Sequence, residues 1–244
     1  MVVENQNDVM AAAYDDEAEA SGWFGPEVAF GLACAYVQPG QSIQDIGIGA
    51  GLGSVLFRKA GLNVYGMDIS PKMLDACRSK GFTALQLHDL GKPPYPYDSE
   101  SMDHAVCTGV LNFLSDLSPV FKETARILRK GGLLAFVVGD RVEGEAHEVK
   151  VGPEHTKSER TVMMYRHSPE QIDTWLQRYG FELVRSLAFT IFMDRARTRS
   201  MPARAYPARI RVGSEVRLQL TPRITRMGDD THTALRLYCK CTRQ

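Results

Sequence analysis

The chain has 244 residues, of which 44% are hydrophobic and 24% are charged, and its formal net charge at pH 7 is zero. This is ordinary globular composition, and a neutral chain has no overall attraction to nucleic acid or to an anionic membrane. No apolar run reaches the roughly 18 residues of a membrane span. The polar start is unlike a secretory signal, and the five cysteines are scattered, so we expect reduced thiols in a cytoplasmic protein.

Two helices are predicted ahead of the first strand. Residues 8–20 are acidic and rich in alanine, which favours a helix. Pro26 suits the first turn of a second helix over residues 26–37. We interpret residues 1–37 as N-terminal cap helices of a single domain that spans residues 1–244.

The first predicted strand, about 42–47, runs into a glycine-rich turn and then into a segment compatible with a helix. Glycine removes Cβ atoms where the backbone must turn sharply and lets a ligand approach the main chain. This pattern alone also fits an ordinary strand-to-helix turn. The glycines stand at alternate positions: Gly47, Gly49, Gly51 and Gly53.

The next two predicted strands each end in an acid. The second strand, about 63–68, ends in Asp68, about 20 residues after the first glycine of the turn, and the third ends in Asp89. In an open α/β sheet, an acid at the position of Asp68 lies beside the glycine turn and can accept both hydroxyls of a ribose. The three strand ends therefore converge on one crevice.

Two cofactors fit a glycine turn with a ribose-binding acid: a dinucleotide and S-adenosylmethionine. The dinucleotide fingerprint G-x-G-x-x-G/A would place Leu52 or Ser54 at its sixth position, and neither fits well. Asp45 lies inside the strand just before the turn, where a carboxylate repels phosphate but suits the cationic amino group of a methionine. These residues favour S-adenosylmethionine.

The same stretches resemble the motifs of a known family, the class I S-adenosylmethionine-dependent methyltransferases. Residues 45–51, Asp-Ile-Gly-Ile-Gly-Ala-Gly, resemble its first motif, and residues 67–74 and 88–90 resemble its second and third. Residues 103–114 and 128–132 resemble its later landmarks. The five landmarks follow one another in the family's order, and together they are a specific signal.

The resemblance implies an α/β fold with a Rossmann-like, doubly wound sheet. We expect seven strands in the order 3-2-1-4-5-7-6, with strand 7 antiparallel and helices on both faces. Residues 140–160 are polar and are predicted to form an insertion or mobile loop. Serine followed by proline predicts helix starts at Ser70 and Ser168. The remaining strands are predicted at about 102–108, 133–139, 181–193 and 233–241, and further helices at about 118–129 and 168–179.

The resemblance also implies roles for residues that would bind S-adenosylmethionine and its product, S-adenosylhomocysteine. Asp68 would bind the ribose and Asp89 the adenine, and Asp45 would lie near the methionine amine. Tyr14 resembles a leader-helix tyrosine that covers the cofactor in many small-molecule methyltransferases. The predicted cofactor-binding residues are Tyr14, Asp45, Gly47, Gly49, Gly51, Asp68, Ile69, Asp89, Leu90, Thr108 and Gly109.

No catalytic residue is identified, and no metal site is predicted. In methyl transfer from a sulfonium, the cofactor carries the reactivity and the protein mainly aligns the acceptor. An acceptor that must lose a proton also needs a base. The candidates precede or flank the polar insertion, where each also fits a loop or packing role: His147, His155, Tyr165 and His167.

The favoured function is methylation of an oxygen or nitrogen of a small molecule. A methyltransferase acting on RNA or protein, a regulatory protein that binds S-adenosylmethionine without turnover, and an oxidoreductase stay as alternatives. Neutral charge and the lack of a nucleic-acid module favour small substrates.

An arginine-rich insertion is predicted between strands 6 and 7, at residues 194–230. It holds nine arginines and four acids, a balance of 9 − 4 = +5. Arginine clamps carboxylate or phosphate, so an anionic substrate is one interpretation, and surface charge is the other. The arginines predicted to hold the substrate are among Arg195, Arg197, Arg199 and Arg204.

Overall fold

The computed structural model describes residues 16, 18, 23, 25–141, 144–151, 162–189, 211–212 and 233–240. Within them, no helix has the length and apolar character needed to cross a membrane. Three groups of residues that the sequence singled out lie outside the described residues: Tyr14, His155, and the four arginines proposed as an anion clamp. The division into cap helices, domain and insertion therefore stays a prediction.

The helices with defined bounds are α1 (Gly25–Ala33), α2 (Val55–Lys59), α3 (Pro71–Ser79), α4 (Ser118–Ile127) and α5 (Pro169–Arg178). The strands are β1 (Ser42–Ile46), β2 (Asn63–Asp68), β3 (Ala84–Leu87), β4 (Met102–Cys107), β5 (Leu128–Gly139), β6 (Glu148–Val151), β7 (Val162–Tyr165), β8 (Phe181–Phe189), β9 (Arg211–Val212) and β10 (Thr233–Lys240). Two short 3-10 turns, Leu52–Ser54 and Leu111–Phe113, follow β1 and β4.

Eight of these ten strands form one sheet in the order β3-β2-β1-β4-β5-β10-β8-β9. Strands β1 to β5 pair in parallel, which confirms the predicted α/β class and the order 3-2-1-4-5. Strand β10 lies between β5 and β8 and is antiparallel to both. The strand order reverses at β1, where β2 lies on one side and β4 on the other, so the carboxyl ends of these three strands open a crevice.

Apolar residues cover both faces of the central strands, as expected for parallel strands buried under helices. Along β5, Leu134 and Phe136 join the core under α4 and α5, whereas Leu133 and Val137 join the core under α1 and α2. Full burial of such a side chain contributes roughly 1.5–3 kcal/mol. Alternation along a single strand therefore holds helices on both sides of the sheet.

The predicted starts of two helices are confirmed. The Ser70 hydroxyl accepts a hydrogen bond from the Met73 backbone N–H at 3.1 Å, and α3 begins with Pro71. The Ser168 hydroxyl accepts from the Gln171 backbone N–H at 3.2 Å ahead of α5. Each serine satisfies a backbone donor that the first helical turn leaves unpaired.

The polar stretch predicted as a loop contains a strand instead. Strand β6 pairs with β7 in an antiparallel ribbon, with Glu148 opposite Tyr165 and Val151 opposite Val162. The sequence did not reveal β6 because this strand is stabilised by pairing with β7, which lies ten residues further along the chain.

The strand after α4 begins earlier than predicted. Strand β5 starts at Leu128, and the Gly131–Gly132 pair, a pattern typical of a helix stop, lies inside it. A Cβ on Gly132 would come within 2.5 Å of the Asp103 carbonyl oxygen. This glycine therefore allows β4 and β5 to approach each other.

Candidate cofactor and acceptor site

A pocket of about 310 Å³ opens at the carboxyl ends of β1, β2 and β4. The glycine turn forms its floor, acidic residues flank it, and apolar side chains form the remaining wall. Its lining residues are Trp23, Gly47, Ile48, Gly49, Leu52, Gly53, Asp68, Ile69, Met73, Asp89, Leu90, Thr108, Gly109, Val110, Phe113 and Leu114.

The glycines of the turn serve different purposes. Gly49 has a φ of +52°, and a Cβ there would meet no atom within 4 Å, so its backbone faces open space in the pocket. Gly51 lies outside the pocket lining, and a Cβ there would come within 2.7 Å of the Phe82 ring. Gly49 therefore leaves room for a ligand, whereas Gly51 permits packing of the core.

Asp68 connects the glycine turn to the start of α3. Its Oδ2 accepts a hydrogen bond from the Gly49 backbone N–H at 2.9 Å, and its Oδ1 accepts from the Ser70 backbone N–H at 2.9 Å. The side chain lines the pocket and is nearly buried. A carboxylate oxygen can accept more than one hydrogen bond, so this arrangement still suits two ribose hydroxyls.

Asp89 lies on the pocket beyond the end of β3. Its Oδ1 accepts from the Gly91 backbone N–H at 2.9 Å, and the Lys92 ammonium lies 3.2 Å from its Oδ2. Partial burial raises the pKa of this carboxyl, but the Gly91 and Lys92 contacts outweigh it and hold the pKa below its usual value. Asp89 is therefore ionised at neutral pH and accepts hydrogen bonds.

Asp45 is buried behind the pocket wall and is absent from the lining. Its Oδ2 accepts from the Ser54 hydroxyl at 2.7 Å, and within the described residues Oδ1 has no hydrogen-bond partner. Burial raises the pKa of this carboxyl to about 7, against the lowering effect of the Ser54 bond. A Cβ atom added to Gly53 would lie 3.4 Å from Oδ2, so Gly53 lies between the carboxylate and the pocket.

A second, more open hollow of about 510 Å³ lies by the proline-rich loop after β3. Two of its tyrosines use their hydroxyls in the fold, because Tyr95 donates to the Leu90 carbonyl and Tyr97 donates to the Gly66 carbonyl. Among the residues that the structure describes, its lining has neither a glycine turn nor strand-end carboxylates facing each other. The smaller pocket at the sheet crevice is therefore the candidate site.

Comparison with known proteins agrees with this geometry. Residues 44–136, which run from β1 into β5, match a family described as a methyltransferase domain. This region is a methyltransferase domain with the fold of the class I S-adenosylmethionine-dependent methyltransferases. The chain is 29% identical over 185 residues to a malonyl-[acyl-carrier protein] O-methyltransferase of Serratia marcescens, covering 75% of this chain and 69% of that protein. Three further curated relatives are matched over 38% to 41% of their length.

Solved structures share the fold of this methyltransferase. A putative methyltransferase in complex with the Trm112 methyltransferase activator of Haloferax volcanii superposes with a TM-score of 0.65 at 20% identity, covering 97% of this chain and 98% of that chain. Magnesium protoporphyrin IX methyltransferase of Synechocystis PCC 6803, with bound S-adenosylhomocysteine, has a TM-score of 0.55 at 17% identity, covering 88% and 81%. At these identities the likeness concerns the fold alone.

The residues of this methyltransferase fit S-adenosylmethionine as its cofactor. The open space above Gly49 admits a ligand against the backbone. Asp68 and Asp89 place carboxylates on the lining, with Ile69 and Leu90 beside them, and these carboxylates are predicted to accept hydrogen bonds from the ribose and the adenine. Asp45 is buried behind this lining, its Oδ1 has no hydrogen-bond partner among the described residues, and it is predicted to lie near the methionine amine. The roles of these residues in binding stay predictions.

The β6–β7 ribbon of the methyltransferase brings together three of the four candidate bases. The His147 ring lies 5.4 Å from the Tyr165 ring and 5.2 Å from the His167 ring, centre to centre. His147 Nδ1 lies 2.7 Å from the Arg166 carbonyl oxygen. Because a carbonyl only accepts, this nitrogen carries the proton in the neutral ring.

His167 differs from its neighbours because it is fully buried. Its Nε2 lies 3.0 Å from the Leu114 carbonyl oxygen, and among the described residues its Nδ1 has no partner. Burial lowers the pKa of the imidazole to about 4, although the bond to Leu114 raises it. His167 is therefore neutral at physiological pH.

Several lining residues were absent from the predicted set. Trp23 and Phe113 are the largest of them, and both stand in stretches that the sequence marks. Trp23 belongs to an aromatic corner before α1, and Phe113 follows the end of β4, which by the family pattern borders cofactor and substrate. Met73 and Leu52 carry no such signal, because an apolar residue in a first helical turn is usually part of the core.

Proposed function

We propose that this methyltransferase transfers a methyl group to an oxygen or nitrogen of a small molecule with an apolar body. The observation that carries the proposal is the apolar surface beyond the glycine turn, which consists of Trp23 and of the wall after β4 with Val110, Phe113 and Leu114. Such a surface suits a largely apolar acceptor with few polar groups. Two relatives by name, the Serratia enzyme and a ubiquinone biosynthesis O-methyltransferase of Xanthomonas oryzae, are O-methyltransferases, which supports an oxygen acceptor.

In this proposal the protein binds the cofactor, aligns the acceptor with the methyl group and excludes water. S-adenosylmethionine, when bound, supplies a methyl group on a positively charged sulfur. Asp68 and Asp89 hold the nucleoside end, which leaves the apolar wall to orient the acceptor. A close, aligned approach in a dry pocket accounts for much of the acceleration in such reactions.

A hydroxyl acceptor must also lose a proton. His147 and Tyr165 on the ribbon are proposed bases because they are only partly buried and lie together near the acceptor wall. His155 stays a sequence-based candidate. We also retain an anionic acceptor held by arginines of residues 194–230, a proposal that rests on the binding chemistry of arginine.

The test is a methyl-transfer assay with radiolabelled S-adenosylmethionine. The purified protein is offered a panel of aliphatic carboxylic acids and thioesters, phenols and quinols, and amines, with transfer RNA and peptides as separate arms. We expect label in a small-molecule product and matching release of S-adenosylhomocysteine. Label only in RNA or peptide would overturn the proposal, as would tight S-adenosylhomocysteine binding without turnover in any arm.

A further inference from the structure

The wall of the pocket after β4 is a short segment with little support of its own. It consists of the 3-10 turn Leu111–Phe113 and the flanking Val110 and Leu114. Its internal hydrogen bonds run from the Phe113 N–H to the Val110 carbonyl at 3.0 Å and from the Leu114 N–H to the Leu111 carbonyl at 3.2 Å. Such turns have poorer hydrogen-bond geometry than an α-helix, so the position of the wall depends on contacts from outside.

Within the described part of the chain, two hydrogen bonds reach this wall from outside, and both come from the region where β5 ends. The Gly139 backbone N–H donates to Asn112 Oδ1 at 2.8 Å, and His167 Nε2 lies 3.0 Å from the Leu114 carbonyl oxygen. The backbone of His167 is itself fixed there, because its N–H donates to the Gly139 carbonyl and its carbonyl accepts from the Arg141 N–H, each at 3.0 Å. His167 therefore joins β5, the ribbon and the wall.

The surroundings of His167 favour the neutral imidazole with its proton on Nε2. The carbonyl of Leu114 can only accept, so Nε2 carries the proton. A second proton would sit on the buried Nδ1, which has no acceptor among the described residues. The rings of His147 and Trp175 pack against it with centres 5.2 and 6.0 Å away. Of the titratable groups around it, Arg141 and His147 disfavour a positive ring and Asp116 favours one.

These contacts argue against a role in proton transfer, since a base needs a nitrogen within hydrogen-bond reach of its substrate. One nitrogen of His167 is committed to Leu114 and the other is enclosed. We propose that His167 is a positioning residue: it holds the wall, residues Val110 to Leu114, in place by donating a hydrogen bond to the Leu114 carbonyl. Only the description of this wall as the acceptor side rests on the proposed function.

Hydrogen exchange measured by mass spectrometry tests the proposal without a known acceptor. The protein is saturated with S-adenosylhomocysteine, and exchange is compared in peptides covering residues 108–116 and 102–107. His167→Phe keeps an aromatic ring but has no donor. His167→Gln places an amide N–H at the reach of Nε2, whereas the shorter His167→Asn does not. His104→Phe is the matched control, since His104 is also buried and hydrogen-bonded, but to Gln41 at the other end of the sheet.

We expect exchange in residues 108–116 to rise about fivefold or more in His167→Phe and His167→Asn, as expected for the loss of one hydrogen bond. It should stay within twofold of wild type in His167→Gln and His104→Phe, and residues 102–107 should not change in any of the His167 variants. Unchanged exchange in His167→Phe, no rescue by Gln, or an equal rise in His104→Phe would overturn the proposal. Binding of S-adenosylhomocysteine, measured separately by calorimetry, shows that each variant is folded. A failed acceptor panel would leave this result untouched.

Discussion

Among single residues, Asp68 has the most direct consequence for binding. Its carboxylate faces the pocket and also orders the Gly49 and Ser70 N–H groups. We expect Asp68→Ala to weaken S-adenosylhomocysteine binding by about 1.5–3 kcal/mol, the usual cost of removing a charge-assisted hydrogen-bond acceptor. Isothermal calorimetry measures this. Asp75→Ala, which removes an exposed carboxylate paired with Arg78 on α3, is the control and should leave the dissociation constant unchanged.

A substitution at Gly49 permits a second prediction, which distinguishes an effect on ligand binding from an effect on stability. Gly49→Val strains a left-handed backbone and places two methyl groups in the open space of the pocket. Gly131→Val imposes the same kind of strain, at a φ of +80° and with no atom within 4 Å, but away from the pocket. We expect both to lower the melting temperature and only Gly49→Val to abolish S-adenosylhomocysteine binding. Equal binding by the two variants would remove Gly49 from the site.

Asp45 makes the stability of the fold depend on pH. Its pKa is raised from 3.8 to about 7, so between these values the folded state keeps a proton that the unfolded state has lost. The free energy of unfolding should therefore fall as the pH rises through this window, by at most about 1.4 kcal/mol per pH unit. Asp45→Asn can still accept the Ser54 bond and cannot ionise.

Urea unfolding of the ligand-free protein between pH 4.5 and pH 7.5 measures this dependence. The stability of Asp45→Asn relative to wild type should increase with pH. A constant difference across the window would mean that Asp45 does not keep its proton in the folded state.

Among the secondary-structure elements, α4 holds the proline-rich loop in place. The Arg126 guanidinium donates to the Tyr97 carbonyl at 2.9 Å and to the Tyr95 carbonyl at 3.1 Å, and it pairs with Glu123 at 2.7 Å. Glu123 in turn accepts from the Tyr95 N–H at 2.7 Å. One arginine and one glutamate on successive turns thus fix the backbone of a loop that ends against β4.

We expect Arg126→Ala to lower the free energy of unfolding by about 2–3 kcal/mol, because it leaves backbone carbonyls and a largely buried Glu123 without their partner. Arg129→Ala removes an exposed pair with Asp103 and should cost less than about 1 kcal/mol. Denaturant unfolding compares the two. Equal losses would show that Arg126 stabilises the fold no more than an exposed ion pair does.

Local patterns were enough to predict the elements of the crevice. Alternate glycines, a strand ending in Asp68 and the Ser-Pro helix starts are each specified within a few residues. The β6–β7 ribbon was missed because neither strand has a strong pattern of its own and each depends on pairing with the other. The early start of β5 was missed because Gly132 has the pattern of a stop signal, whereas close approach to Asp103 requires it.

The residues of the site also divide into those that local patterns predict and those that depend on contacts between distant parts of the chain. Asp68 and Asp89 were found because acids at the ends of parallel strands meet at one edge. The wall at Phe113 and Leu114, and its contact with His167, depend on a ribbon some fifty residues further along the chain. The sequence alone does not show which polar side chains are buried. In the structure Asp45 is buried behind the pocket, and His167 is enclosed.

For the molecule as a whole, ligand binding should be visible as stability. A ligand at 100 times its dissociation constant stabilises the folded state by about 2.7 kcal/mol, which for a chain of this size raises the melting temperature by roughly 5–10 °C. We expect this shift with S-adenosylmethionine and S-adenosylhomocysteine, and none with NAD, because the turn lacks the dinucleotide fingerprint and has Asp45 ahead of it. A shift with NAD alone in a thermal melt would contradict the assignment of the cofactor.

The position of β10 has a consequence for how the protein is made. Strands β1 to β5 leave the ribosome first and can pair with one another as they emerge. Strand β8 follows, but its neighbour on the β5 side is β10, which is synthesised later. Until residues 233–240 emerge, β8 has no place in the sheet and the apolar edge of β5 is uncovered. A nascent chain that stalls before residue 233 would therefore present an open strand edge, the kind of surface on which chains aggregate and chaperones act.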